Sequence, residues 1–126
     1  MLWYADAVSN TADKARFHIP VVIQAGTSIS SAAILGDELS LIGLYMPSAW
    51  STAAVQASVS KDGVTYVPLQ PGALWSISSP SNYYCYYLDN AFFEPWSFVK
   101  MRSGTSATPV SQSQTVTLTL VAKALA

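Results

Sequence analysis

Few residues in this 126-residue chain have side chains that could do covalent chemistry. There is one cysteine, Cys85, and one histidine, His18. A catalytic thiol needs a base beside it, and these two lie far apart in sequence, with no acid next to His18. Cys85 sits in the run Tyr83-Tyr84-Cys85-Tyr86-Tyr87, which alternates like a strand. The simpler expectation is a small, buried or half-buried apolar residue. No HExxH, CxxC, GxSxG or phosphate-cradling glycine loop is present. One His and one Cys are a poor start for a zinc site. The adjacent acids Asp37 and Glu38 follow Gly36 in a turn, where solvating that turn is their default role. Together with Asp89 they could offer oxygens to calcium, but plain surface acids are the simpler reading. Asp62, Asp89 and Glu94 show no spacing that sets two carboxylates across a cleft. The chain is therefore expected to be no enzyme, with no metal and no cofactor.

The aromatic residues are the more promising chemistry. Trp50, Trp75, Tyr83, Tyr84, Tyr86, Tyr87 and Trp96 are many for this length. Flat apolar rings with a polar edge suit either a protein interface or a sugar face. Successive strand residues alternate faces, so Tyr84 and Tyr86 share one face while Tyr83, Cys85 and Tyr87 share the other. One set is expected in the core and the other is left for a partner. Trp3, Tyr4, Trp50, Trp75, Tyr84 and Tyr86 are the candidate partner-binding residues.

Composition agrees with an adhesive role. Apolar residues make up 51% and charged residues only 10%, against about 25% charged in ordinary globular domains. Six Lys+Arg and seven Asp+Glu cannot cover a whole surface. Either Ser and Thr cover it, or part of it is hidden against other chains. The net charge of −1 and the lack of a basic cluster argue against nucleic acid. No basic start followed by an apolar core marks a signal peptide, and no apolar run approaches the ~20 residues of a membrane span. The expectation is a soluble protein made in a cytoplasm.

The elements that position these residues read as strands. Residues 18–25 (HIPVVIQA), 28–35 (SISSAAIL) and 39–45 (LSLIGLY) come first, the last with Gly43 marking a bulge or a close backbone approach and Pro47 ending it. Residues 54–60 (AVQASVS) put Val55, Ala57 and Val59 on one face. Lys61-Asp62-Gly63 then turns the chain into residues 64–69 (VTYVPL), because glycine reaches positive φ without a Cβ clash. Pro68 there points to a sheet edge or a strand end. Residues 70–82 are a turn-rich connection, 83–89 an aromatic strand, and 90–96 a tight or single helical turn. Residues 97–102 alternate Phe98, Lys100 and Arg102 against Val99 and Met101. Residues 113–123 alternate Val116, Leu118 and Leu120 against threonines. Short strands between turn signals define an all-β chain, a single jelly-roll-like β-sandwich of about eight strands over residues 18–126. Residues 1–17 are an N-terminal arm. Its Trp3 and Tyr4 either pack on the chain's own sandwich or anchor in a neighbouring subunit.

Two blocks go beyond composition. The first runs Met46-Pro47, Trp50, a strand with Ser60 before Asp62-Gly63, and the strand after it. The second is a lysine- and arginine-bearing strand closing on Arg102-Ser103-Gly104-Thr105. Their combination, over roughly residues 39–121, resembles the small virion structural proteins of tailed bacteriophages, of the capsid cement or decoration type. That resemblance implies a particle component on the capsid surface, with the major capsid protein and further copies of itself as partners, a homotrimer being favoured. A receptor- or carbohydrate-binding module of a tail or fibre is the alternative.

Overall fold

The computed structural model describes residues 16–69, 76–77, 85–88 and 93–124. Nine strands are present among them: β1 (Arg16–Ile23), β2 (Ala33–Ile34), β3 (Leu39–Tyr45), β4 (Val55–Ser60), β5 (Val67–Pro68), β6 (Ser76–Ile77), β7 (Cys85–Tyr87), β8 (Phe98–Ser103) and β9 (Val116–Ala124). They form two antiparallel sheets. The first has the order β1-β9-β3-β7, and the second β2-β8-β4-β5 with β6 also on β4. The outer edge of β4 is shared end to end, by β6 at Val55 and Gln56 and by β5 at Ser58 and Val59. The expected all-β sandwich is what forms.

The period-2 pattern explains the core. Val21, Ile23, Leu118, Leu120 and Leu44 from the first sheet meet Val55, Ala57, Val59, Val99 and Met101 from the second, all buried. Burying side chains of this size contributes about 1.5–3 kcal/mol each against leaving them in water. Phe93, Leu88, Leu69 and Trp50 extend the same cluster.

Three strand expectations need correction. Residues 28–35 give only the two-residue β2 and a single bridge at Ile29. The reason is local competition: Ser30 Oγ accepts the Met101 N–H at 2.9 Å and Ser31 Oγ accepts the Val22 N–H at 3.0 Å. These serines thus tie β8 to β1 instead of continuing a ladder. Residues 64–69 pair only at Val67–Pro68, because the preceding amides are captured by the turn described below. The connection at 70–82, expected without a strand, contains β6.

Other details hold. The β3–β9 register shifts between Leu41 and Gly43, a bulge at the glycine. Gly63 has φ +77° and lies against the Phe98 ring. Pro68 stands on the edge strand β5. Arg16 and Phe17, taken by sequence for the end of the arm, pair with Lys123 and Ala122 and belong to β1. The rest of the arm lies outside the described residues.

Candidate partner-binding faces

The outer face of the first sheet carries two cross-strand rows. One is His18–Val121–Gly43–Tyr87 and the next is Pro20–Thr119–Tyr45–Cys85. They span all four strands, about 14 Å at three interstrand spacings of about 4.8 Å. No Lys, Arg, Asp or Glu stands in either row. Tyr87 is 84% exposed and Tyr45 45% exposed. The His18 and Tyr45 rings are tilted at 6.3 Å across β9. Gly43 leaves the middle low: a Cβ there would touch Val121 at 3.4 Å. Beyond the two rows the face changes character, to Arg16 opposite Lys123 at one end and Val22 opposite Thr117 at the other.

Strand β1 is an edge strand of this sheet. Val22 exchanges bonds with Ser31, which lies on the side away from β9. Two residues earlier, Pro20 has the same backbone orientation, so its missing N–H falls on that side and not in the β9 ladder. The proline also blunts that edge against strand addition.

The outer face of the second sheet has another composition. Phe98, Lys100 and Arg102 of β8 stand opposite Ser60, Ser58 and Gln56 of β4. These three β4 residues are buried even though they face away from the core, so β4 is covered on both sides. Lys100 Nζ lies 4.5 Å from the centroid of the Tyr66 ring, a cation–π contact.

The β4–β5 turn is locked by its own side chains. Ser60 Oγ donates to Asp62 Oδ1 at 2.9 Å and accepts the N–H groups of Asp62 and Gly63. Asp62 Oδ1 also accepts the Val64 and Thr65 N–H groups at 2.9 and 3.0 Å. The Val64 and Thr65 amides, with Ser60's hydroxyl, lower the Asp62 pKa from 3.8 to about 2. Burial, together with the negative charge of Asp62, raises that of Tyr66.

The sequence-based candidates fall unevenly on this geometry. Trp3, Tyr4, Trp75 and Tyr84 lie outside the described residues. Trp50 belongs to the core: it is 8% exposed, and its indole N–H donates to the Ala53 carbonyl at 3.0 Å. It presents no open ring for a sugar or a partner, only an edge to a shallow cavity of about 240 Å³ with Ala49, Ser51, Ser113 and Gln114. Tyr86 is half-buried and packs on the core. Its face is therefore the inward one, and the residues left outward are Tyr87 and Cys85. Cys85 is exposed, which corrects the expectation of a buried or half-buried thiol. The alternation of the aromatic run held the information, but sequence alone did not fix which face points in. Tyr45, His18 and Pro20 carried no separate signal; only the ladder register brings them beside Tyr87.

Among the described residues no group of three His, Cys, Asp or Glu side chains is placed to hold a metal. No helix among them is long and apolar enough to cross a membrane.

No protein-family model matches the sequence, and no curated protein does. In fold the chain is similar to the crystal structure of SPBc2 prophage-derived protein YomS, with a TM-score of 0.53. The match covers 92% of this chain and 100% of that one at 12% identity. At that identity the likeness is one of fold.

Proposed function

We propose that this chain is a non-catalytic structural protein of a phage particle, most specifically a cement protein that binds the outer capsid shell and ties its subunits together. The observation that carries the reading is the uncharged aromatic face of the first sheet, four strands wide, with Tyr87 almost wholly exposed. A tyrosine-bearing face with a depleted charge count is the composition of a protein interface core. The two sequence blocks that resemble virion proteins support the same reading, as does the fold neighbour described as prophage-derived.

A cement needs at least two contact surfaces, one for each body it joins. The two sheets supply outer faces of different chemistry, one neutral and aromatic, the other cationic. Each contact is modest, and repetition around a symmetric shell multiplies it through effective concentration. Self-association as a homotrimer belongs to this proposal, since an uncharged face of this kind is what closed oligomers bury. Fractionation of intact particles tests the reading. A cement protein co-purifies with heads in large copy number, whereas a receptor module stays with tails in few copies. Recovery with tails only would remove the capsid role.

A further inference from the structure

Among the described residues the acids and most of the bases lie on different elements. Among the described residues no Asp or Glu stands in a strand: Asp37, Glu38, Asp62 and Glu94 all lie in turns and loops. Of the described cations Arg16, Lys100, Arg102 and Lys123 stand in strands, and Lys61 lies in the β4–β5 turn. The outer face of the second sheet therefore carries two cations and no acid in its strands, on a chain whose net charge is −1.

Lys100 and Arg102 share the outer face of β8, two residues apart and so about 7 Å apart along the strand. Among the described residues neither is ion-paired. Lys100 rests over Tyr66. Arg102 Nε is buried with no hydrogen-bond partner. Directly opposite it in the ladder is Gln56, fully buried, whose Nε2 also has no partner. The Gln56 amide is oriented unambiguously, because its Oε1 accepts the Ser106 N–H at 2.8 Å. Two neighbouring buried donors without an acceptor are unusual in a folded protein. Asp62, in the adjoining turn, lies beyond the Ser60–Phe98 end of the ladder, away from Gln56 and Arg102, with its Oδ1 engaged by Ser60, Val64 and Thr65.

We infer that this face is a docking site for an extended acidic segment of a partner protein. One carboxylate completes Arg102 Nε and Gln56 Nε2, and a second faces the Lys100 ammonium. Alternate side chains of an extended peptide recur about every 7 Å on one face, so a Glu-x-Glu spacing matches Lys100 and Arg102. An arginine edge and an amide N–H side by side suit a planar carboxylate. The turn at residues 105–108 lies over this end of the face through the Ser106 bond, so entry of the carboxylate requires that turn to open. A polynucleotide is the less fitting polyanion, because only two cations line the face and the whole chain is negative.

The inference stands apart from the virion reading and is testable on the isolated full-length protein. A synthetic peptide alternating Glu and Gly is titrated while the amide resonances and the Arg102 Nε–H are followed. Saturable shifts are expected at Ser58, Lys100, Arg102 and Ser106, with affinity falling steeply as salt is added. Lys100→Gln and Arg102→Gln should each weaken binding at least tenfold. Arg102→Lys, which keeps the charge but loses the planar fork, should also weaken it. Equal shifts with a Gln-Gly peptide would overturn the inference. So would shifts spread equally to Arg16 and Lys123, or tighter binding of oligothymidylate.

Discussion

Tyr87 stands directly opposite Gly43 in the β3–β7 ladder, and Gly43 stands opposite Val121 in the β3–β9 ladder. The most exposed aromatic of the described residues thus borders the one position on its row that has no side chain. A rigid ring beside a low, uncharged centre is a surface shaped for contact. Tyr87→Ala should leave monomer stability within about 0.5 kcal/mol, as for other exposed positions. As an interface anchor it should weaken self-association or shell attachment by about 2 kcal/mol, roughly thirtyfold in affinity. Sedimentation paired with thermal melting separates the two effects. A large drop in melting temperature with unchanged association would assign Tyr87 to folding.

Cys85 gives an independent probe of the same face. It is exposed and lies in the row of Tyr45 and Thr119. A maleimide should modify it fully in the native protein without denaturant. A bulky adduct there should leave the fold intact and block attachment. Protection of the thiol in the unassembled monomer would contradict the exposed placement.

The Asp62 turn predicts a pH dependence with a definite sign. The folded carboxyl titrates near 2, against 3.8 ordinarily. The group therefore stabilises the fold above about pH 4, and that contribution is lost as pH falls from there towards 2. Asp62→Asn, which has no proton to lose, should melt below wild type at pH 6. The gap should narrow steadily as pH is lowered to 2. A gap independent of pH would show that the carboxylate charge is not what holds the turn.

Gly104 sits at φ +84°, and an added Cβ would lie 2.5 Å from the Thr108 carbonyl oxygen and 2.7 Å from the Val110 nitrogen. Both neighbours are backbone and cannot swing aside. Gly104→Ala should cost at least about 2 kcal/mol from strain and overlap together. Gly63→Val meets the edge of the Phe98 ring at 3.1 Å, with φ also positive, and should cost at least ~1 kcal/mol. Urea unfolding of the two variants checks both the size and the order.

Much of the fold was readable because strands announce themselves by alternation. The Val55–Ala57–Val59, Val99–Met101 and Val116–Leu118–Leu120 series all point inward as their period requires. The turn at Gly63 was readable because its positive φ favours glycine, and the bulge at Gly43 because a glycine inside a strand marks such a break. Strand ends were less readable where side chains take over backbone bonds. Ser30 and Ser31 shorten β2, and Asp62 delays β5, through hydrogen bonds that no periodicity reveals. The proposed interaction face was legible only in part. The aromatic run identified the strand, but Tyr86 turned inward and Tyr87 outward, and Trp50 satisfied its N–H at Ala53 and joined the core. Pairing of His18, Val121 and Gly43 with Tyr87 depends on register between segments up to about a hundred residues apart, which composition does not encode.

The most direct test is the position of this protein on an intact particle. A cryo-electron reconstruction of the particle on which the proposal places it should show the sandwich repeated over the outer capsid, with the Tyr45–Tyr87 face buried against a neighbouring chain. Density confined to the tail, or capsids fully decorated by this protein with that face turned to solvent, would contradict the account.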